Sequence, residues 1–233
     1  MIQQSPSLVP VARPPAIPPL EPGDHLTRAE FERRYDAMPN LKKAELLEGV
    51  VFMASPVRWQ QHARPHAIFL LWLGYYSART PHTQVGDNGS VRLDNDNMPQ
   101  PDVALLIDPA RGGQSRLGAD DYVEGAPELV VEVAASTASI DLNIKLRVYR
   151  RNNVKEYVVW RVQDGALDWF HLEDGEYRRL AAGADGIVRS VTFPGLWLDL
   201  AALARSDSAG VLATLDRGLA DPGHAAFVAK LTA

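Results

Sequence analysis

The run Glu128-Leu129-Val130-Val131-Glu132-Val133-Ala134 begins with one carboxylate and is then apolar except for a second, Glu132. A run of this kind is typical of a strand that is buried on both faces of a sheet. The segment that follows, from Asp141 to Arg151, has helical character and ends near Asn152-Asn153. A buried strand followed directly by a helix predicts an α/β domain.

Hydrophobic periodicity and turn residues predict the elements on either side of this unit. Apolar residues up to about Ala78 indicate a long helix with Pro65 in its first turn, where a proline is tolerated. The predicted strands are two that flank the Glu48-Gly49 turn within 44–53, two more at 90–93 and 103–107, and a meander at 156–162, 167–172 and 177–180. Residues 198–219 are expected to form one or two closing helices.

The composition indicates one globular domain with appendages. The 233 residues are 46% hydrophobic and 23% charged, which is ordinary for a folded protein. We expect a proline-rich flexible tail at 1–23, the folded domain at 24–200 and a C-terminal helical extension at 201–233. The absence of cysteine excludes disulfides, thiolate metal sites and thiol nucleophiles. Neither a membrane span nor a signal peptide is predicted, so a cytoplasmic protein is expected.

The net charge of -5 gives no overall positive field that would attract a polyanion. This charge does not exclude nucleic-acid binding, because a metal ion and a local basic patch can serve a single phosphate site. Arg147, Arg150 and Arg151 are candidates for phosphate contacts, although such a run is more often a solvated face. Trp160 and Tyr157 are expected to be core or interface residues.

Glu132 is the first candidate for chemistry. Burying a carboxylate without a partner costs on the order of several kcal/mol of folding free energy. Such a group must therefore be neutralised, paired with a cation or bound to a metal. Asp102 follows Pro101 where the predicted 103–107 strand begins, and the two carboxylates could converge on one hard cation such as magnesium or manganese. For Glu132 the alternatives are a salt bridge to an arginine or exposure at a strand edge. For Asp102 the alternative is an ordinary turn at Pro101-Asp102.

Lys145 and two histidines complete the candidate set. Lys145 could form an ordinary surface pair with Asp141, four residues earlier on the helix. His62 and His66 have the spacing of two zinc ligands on one helix, but Pro65 argues against an uninterrupted helix through both. His62 could instead line a cleft or form a hydrogen bond at a helix start.

These residues carry a resemblance to a known family. From about Ala44 to Leu180 the chain resembles the Uma-type family of restriction endonucleases, within the PD-(D/E)XK nuclease superfamily. The matching stretches are Glu45-Leu46-Leu47-Glu48-Gly49, Ser55-Pro56 with His62, Gln100-Pro101-Asp102-Val103, Ala126 to Val133, Ser136-Thr137, Asp141 with Lys145, Tyr149, and Glu156 to Trp160.

The resemblance implies a restriction-endonuclease-like mixed central sheet flanked by helices, and a metal-dependent endonuclease that hydrolyses phosphodiester bonds in DNA. It implies Asp102 and Glu132 as ligands of Mg²⁺ or Mn²⁺, the Val133 carbonyl as a further ligand, and Glu45 and His62 as accessory residues. The superfamily lysine stands two residues after the strand glutamate, where this chain has Ala134. The helix residue Lys145 matches the position that family members offer instead.

Two other functions fit the sequence. The acidic net charge and the displaced lysine would suit a catalytically inactive nucleic-acid or protein binding module that retains the nuclease fold. Exposed strand edges in the meander near Trp160 and Trp169 would suit self-association, for example as a homodimer.

Overall fold

The computed structural model describes residues 17–53 and 57–233. Most of the predicted proline-rich tail and the Ser55-Pro56 match lie outside the described residues. Residues 17–23, also predicted as tail, lie against the domain: the Leu20 side chain is buried with Phe31. The Gly23 amide donates a hydrogen bond to the Val51 carbonyl at 2.9 Å. The folded region therefore begins before the predicted boundary at Asp24.

The described chain contains runs of consecutive strands separated by helices, and it ends in three consecutive helices. The strands are β1 (Ala44–Leu47), β2 (Val50–Met53), β3 (Thr83–Asp87), β4 (Val91–Arg92), β5 (Val103–Ile107), β6 (Arg116–Leu117), β7 (Val123–Glu124), β8 (Leu129–Ala134), β9 (Glu156–Arg161), β10 (Ala166–Glu173), β11 (Glu176–Arg179), β12 (Ile187–Arg189) and β13 (Trp197–Asp199). The helices are α1 (Arg28–Asp36), α2 (Arg64–Arg79), α3 (Ala138–Ile140), α4 (Leu146–Arg151), α5 (Leu200–Ala204), α6 (Ser208–Leu219) and α7 (Pro222–Thr232). A 3-10 turn spans Pro109–Arg111, and π-helical turns at Trp59–Ala63 and Asp141–Lys145 lead into α2 and α4.

The central sheet has six strands in the order β11-β10-β9-β8-β5-β3. Only the β8–β9 pair in this sheet is parallel, so the sheet is mixed, as predicted. All six residues of β8 are buried, which agrees with its near-continuous apolar sequence. The edge strand β3 was not predicted, because Thr83, Gln84 and Gly86 break the apolar pattern of a strand.

Alternate residues of β8 face two different cores. Val131 and Val133 pack with α2, whereas Val130 and Ala134 pack with Tyr149 of α4. Strand periodicity therefore directs Glu132 to the α4 side of the sheet.

The C-terminal helices belong to the main core. Leu203 of α5, Val211 and Leu215 of α6 and Leu231 of α7 are buried in the same cluster as α2. The β12–β13 hairpin was not predicted, whereas α7 lies within the region 201–233 that was predicted to be helical. Within the described residues no helix is both long and apolar enough to cross a membrane.

The predicted burial of aromatic residues in the meander is confirmed. Tyr157 is 0% exposed and Trp160 is 6% exposed, so both are core residues, as expected. Trp169 is also buried, and its indole NH donates a hydrogen bond to Glu156 Oε2 at 2.8 Å. The outer strand β11 carries exposed Arg178 and Arg179, and charged side chains at a sheet edge oppose further strand pairing.

Candidate active site

Asp102 and Glu132 are neighbours on one face of the central sheet. The antiparallel register pairs Val103 with Val131, which places Asp102, one residue before β5, opposite Glu132. Residues opposite each other in an antiparallel pair project to the same face. The Val133 amide also donates a hydrogen bond to Asp102 Oδ2 at 2.9 Å, and both carboxylates are 3% exposed. The structure thus brings the two predicted carboxylates together.

Lys145 enters this site from the helical side. It ends the π-helical turn Asp141–Lys145, a type of irregularity that is frequent at functional sites. Its Nζ lies 2.8 Å from Glu132 Oε1, 2.9 Å from Glu45 Oε1 and 3.9 Å from Asp141 Oδ1. Both Lys145 and Asp141 are buried. The alternative of a surface Asp141–Lys145 pair is therefore wrong, because the ammonium group points inward to three carboxylates.

Glu132 uses one oxygen for these contacts and leaves the other open. Oε1 accepts hydrogen bonds from Lys145 and from the Tyr149 hydroxyl, the latter at 3.0 Å. Among the described residues no hydrogen-bond donor contacts Glu132 Oε2. This oxygen is also not fully buried, so it remains accessible. The partner of Glu132 is thus a lysine rather than the arginine considered from the sequence. β8 is also a central strand, so Glu132 does not lie at a sheet edge.

The β1–β2 hairpin supplies Glu45. The Glu45 carboxylate is 13% exposed and accepts a hydrogen bond from the Gln100 backbone amide at 2.8 Å. Because Gln100 lies two residues before Asp102, this bond fixes the hairpin against the start of β5. The predicted accessory carboxylate therefore lies in the same cluster as Glu132 and Lys145.

Lys43 is a site residue that the sequence analysis did not identify. Its Nζ lies 3.2 Å from Asp102 Oδ1 and 3.2 Å from Asn88 Oδ1. The Lys43 side chain is 22% exposed, compared with 5% for Lys145, so it lies nearer the solvent side of the cluster. The available sequence signal was the spacing of two between Lys43 and Glu45, which places them on one face of an extended segment.

His62 and His66 both approach Asp102, by different atoms. His62 Nδ1 lies 3.1 Å from the Val133 carbonyl oxygen, and its Nε2 lies 3.6 Å from Asp102 Oδ1. His66 Nε2 lies 3.0 Å from the Asp102 backbone carbonyl and 3.0 Å from Asp87 Oδ1. The two imidazoles thus contact different atoms, the Asp102 carboxylate and the Asp102 backbone carbonyl. This arrangement does not resemble a zinc site shared by both rings.

The prediction that Pro65 interrupts the helix between these histidines is wrong. The π-helical turn Trp59–Ala63 continues directly into α2, and Pro65 lies in the first turn of α2. The expected place of Pro65 in the first turn of α2 is confirmed, although helical backbone precedes it.

The two carboxylates have opposite pKa shifts. Burial raises the pKa of Asp102, but the charges of Lys43, His62 and Lys145 and the Val133 amide outweigh it and hold that pKa below its ordinary value. Burial raises the pKa of Glu132 to about 8, although the Lys145 ammonium opposes the rise. For Lys145, burial acts to lower the pKa, but the surrounding carboxylates hold it well above its ordinary value.

The oxygen atoms of this cluster fit a hard divalent cation. Mg²⁺ is commonly held by one or two carboxylates and keeps several water ligands. Among the described residues, Glu132 Oε2 has no hydrogen-bond donor, and Asp102 Oδ1 lies 3.2 Å from Lys43 Nζ and 3.6 Å from His62 Nε2. Within 17–53 and 57–233 no three Asp, Glu or His side chains are grouped as a metal-binding set. Asp102 and Glu132 are the carboxylates that would hold such an ion, and the Val133 carbonyl, 3.1 Å from His62 Nδ1, stays a predicted further ligand.

The arginines proposed for nucleic-acid contact lie on the surface in ion pairs. Arg147 Nη2 lies 2.9 Å from Glu48 Oε2, and Arg151 Nη1 lies 3.3 Å from Glu48 Oε1. Arg150 is paired with Glu176. Their role in binding stays a prediction.

Comparisons with known proteins agree with the resemblance seen in the sequence. The family model described as "Uma2: Putative restriction endonuclease" matches residues 28–201, more than half of the chain. The fold is similar to that in a crystal structure described as "a putative nuclease belonging to DUF820 from Anabaena variabilis ATCC 29413", with a TM-score of 0.58 and 10% sequence identity. The similarity covers 75% of this chain and 97% of that chain, and it shows a shared fold alone. No curated protein matches the chain. The chain belongs to the Uma2 restriction endonuclease family.

Proposed function

We propose that this protein is a divalent-metal-dependent endonuclease that hydrolyses phosphodiester bonds in DNA. The family and the restriction-endonuclease-like fold support a nuclease function in general. The observation that carries the finer proposal is that Asp102 lies opposite Glu132 on the sheet while Lys145, from a helical turn, contacts Glu132 at 2.8 Å. Folds host several activities, so the argument depends on this site rather than on the fold.

The proposed cofactor is Mg²⁺ or Mn²⁺, held by Asp102 Oδ1, Glu132 Oε2 and the Val133 carbonyl. When bound, such an ion polarises a phosphoryl oxygen and lowers the pKa of a bound water. Lys145 keeps Glu132 oriented through its 2.8 Å contact and supplies a positive charge near the charge that develops on the phosphate. It would thus perform the role of the lysine that is absent at Ala134.

His62 and Lys43 lie on the more exposed side of the carboxylates, with side chains 20% and 22% exposed. Both are therefore placed between the buried acidic cluster and solvent, from which a substrate phosphate would approach. His62 Nε2 is within reach of a proton on a water or leaving group beside Asp102.

Incubation with supercoiled plasmid in Mg²⁺, Mn²⁺ or EDTA tests this proposal, with Glu132→Ala and Lys145→Ala proteins alongside. Lys42→Ala is a matched control, because Lys42 is exposed and adjacent to the site. We expect metal-dependent nicking by the wild type and the control and none by the two site variants. Full nicking activity in a folded Glu132→Ala protein would contradict the proposal. Stable DNA binding without turnover in any metal would favour the inactive binding module.

A further inference from the structure

The helical turn that carries His62 exposes an aromatic ring and two arginines. Trp59 is 73% exposed, whereas Trp72 and Trp169 are each no more than 1% exposed. Arg58 and Arg64, on the same turn, are also exposed. Val57, two residues before Trp59, is 63% exposed, so two apolar side chains lie in sequence beside the two arginines.

Arg58 and Arg64 have different surroundings from the arginines of α4, which form ion pairs. The sequence contains no acidic residue between Glu48 and Asp87. Neither Arg58 nor Arg64 forms an ion pair with a carboxylate of the described residues, and Arg64 contacts the Gln60 amide oxygen at 3.5 Å. Their charge therefore remains available for a phosphate group.

This turn lies directly beside the catalytic cluster. The His62 amide donates a hydrogen bond to the Arg58 carbonyl at 2.9 Å, and the Arg64 amide donates one to the Trp59 carbonyl. His62 Nε2 in turn lies 3.6 Å from Asp102 Oδ1. Trp59 therefore lies within one helical turn of His62, the residue that contacts Asp102.

We propose that Arg58, Trp59 and Arg64 form a contact surface for single-stranded DNA, a proposal that rests on the proposed nuclease function. An unpaired base stacks on the Trp59 indole, because every base presents a flat π face to an aromatic ring. The two guanidinium groups pair with the flanking phosphates. The substrate class is therefore a DNA strand with unpaired bases at the cleavage site, such as a single-stranded end, flap or loop.

Binding of a fluorescent single-stranded oligonucleotide and of the matching duplex, measured in EDTA by anisotropy, tests this surface. We expect Trp59→Ala to weaken single-strand binding by at least about 5-fold, and Trp59→Phe to retain most of it through its ring. Arg64→Ala should reduce the slope of log affinity against log salt by about 0.7. Wild-type tryptophan emission should also change on strand binding, and this change should be smaller in Trp59→Phe.

Two matched controls separate this surface from general effects. Leu71→Ala removes another exposed apolar side chain of α2, and Arg205→Ala removes another exposed arginine. Both should bind like the wild type. Equal single-strand affinities of wild type and Trp59→Ala, or no single-strand binding by the wild type, would overturn the inference. Because no metal is needed, a protein that cleaves nothing but binds strands through Trp59 would refute the nuclease proposal alone.

Discussion

Lys145 Nζ and Glu132 Oε1 lie 2.8 Å apart in a buried ion pair that joins the π-helical turn before α4 to the central strand β8. Lys145 follows Glu132 by 13 residues, and the helical turn that carries it packs against the sheet face on which Glu132 lies. The position two residues after Glu132 is Ala134, which packs among the aromatic residues Tyr149 and Tyr157. The lysine charge therefore reaches the carboxylate from a helix instead of from the strand.

Removal of the Lys145 ammonium should destabilise the protein strongly. A Lys145→Ala change leaves Glu132, Glu45 and Asp141 without their shared cation, and breaking a buried ion pair typically costs about 3–5 kcal/mol. Urea unfolding compares this variant with Lys42→Ala, whose side chain is exposed and whose loss should cost little. Equal unfolding free energies for the two variants would contradict the ion-pair network.

Glu132→Gln should abolish cleavage while the protein remains folded. The amide retains the size of the side chain and can still accept a hydrogen bond from Lys145, but it lacks the negative charge that a divalent cation requires. Plasmid cleavage and Mn²⁺ binding by calorimetry are the measurements. Glu173→Gln, at an exposed position of β10, is the control and should behave like the wild type. Wild-type Mn²⁺ affinity in Glu132→Gln would show that this carboxylate is not a ligand.

Metal affinity should fall as the pH decreases. Burial raises the pKa of Glu132 to about 8, so a proton competes with the metal for this carboxylate over a range in which an ordinary glutamate is already ionised. Mn²⁺ titrations on either side of that pKa should show weaker binding on the acidic side. Glu173→Gln, at an exposed position of β10, is the control and should keep the wild-type pH dependence. A pH-independent wild-type affinity would argue that Glu132 is already fully ionised.

Lys43→Ala should tighten metal binding. The Lys43 ammonium lies 3.2 Å from Asp102 Oδ1, the oxygen that remains after Oδ2 accepts the Val133 amide, so it competes with a cation for that atom. The expected result is a higher Mn²⁺ affinity for Lys43→Ala than for the wild type, with Lys42→Ala unchanged. The same change should raise the pKa of Asp102, because Lys43 is the principal charge that lowers it. Weaker Mn²⁺ binding in Lys43→Ala would instead make Lys43 a positive contributor to the site.

Local sequence patterns predicted the strands that are buried and regular. The run 129–134 and the segment 103–107 became neighbouring strands of the central sheet, because continuous apolar side chains require burial on both faces. Edge strand β3 and the β12–β13 hairpin escaped prediction, since short and partly polar segments depend on their neighbours for strand structure.

The sequence indicated the two carboxylates, because a charged residue within or beside an apolar strand has few explanations: Glu132 lies within Leu129–Ala134 and Asp102 follows Pro101. The site role of Lys145 was indicated only by the family resemblance. Only the tertiary structure decided which groups meet. It turned Lys145 inward rather than to solvent, placed Lys43 on Asp102, and left Trp59 exposed beside His62. The physical reason is that strand register and helix packing, which no local pattern specifies, determine the distances on which ion pairs and metal sites depend.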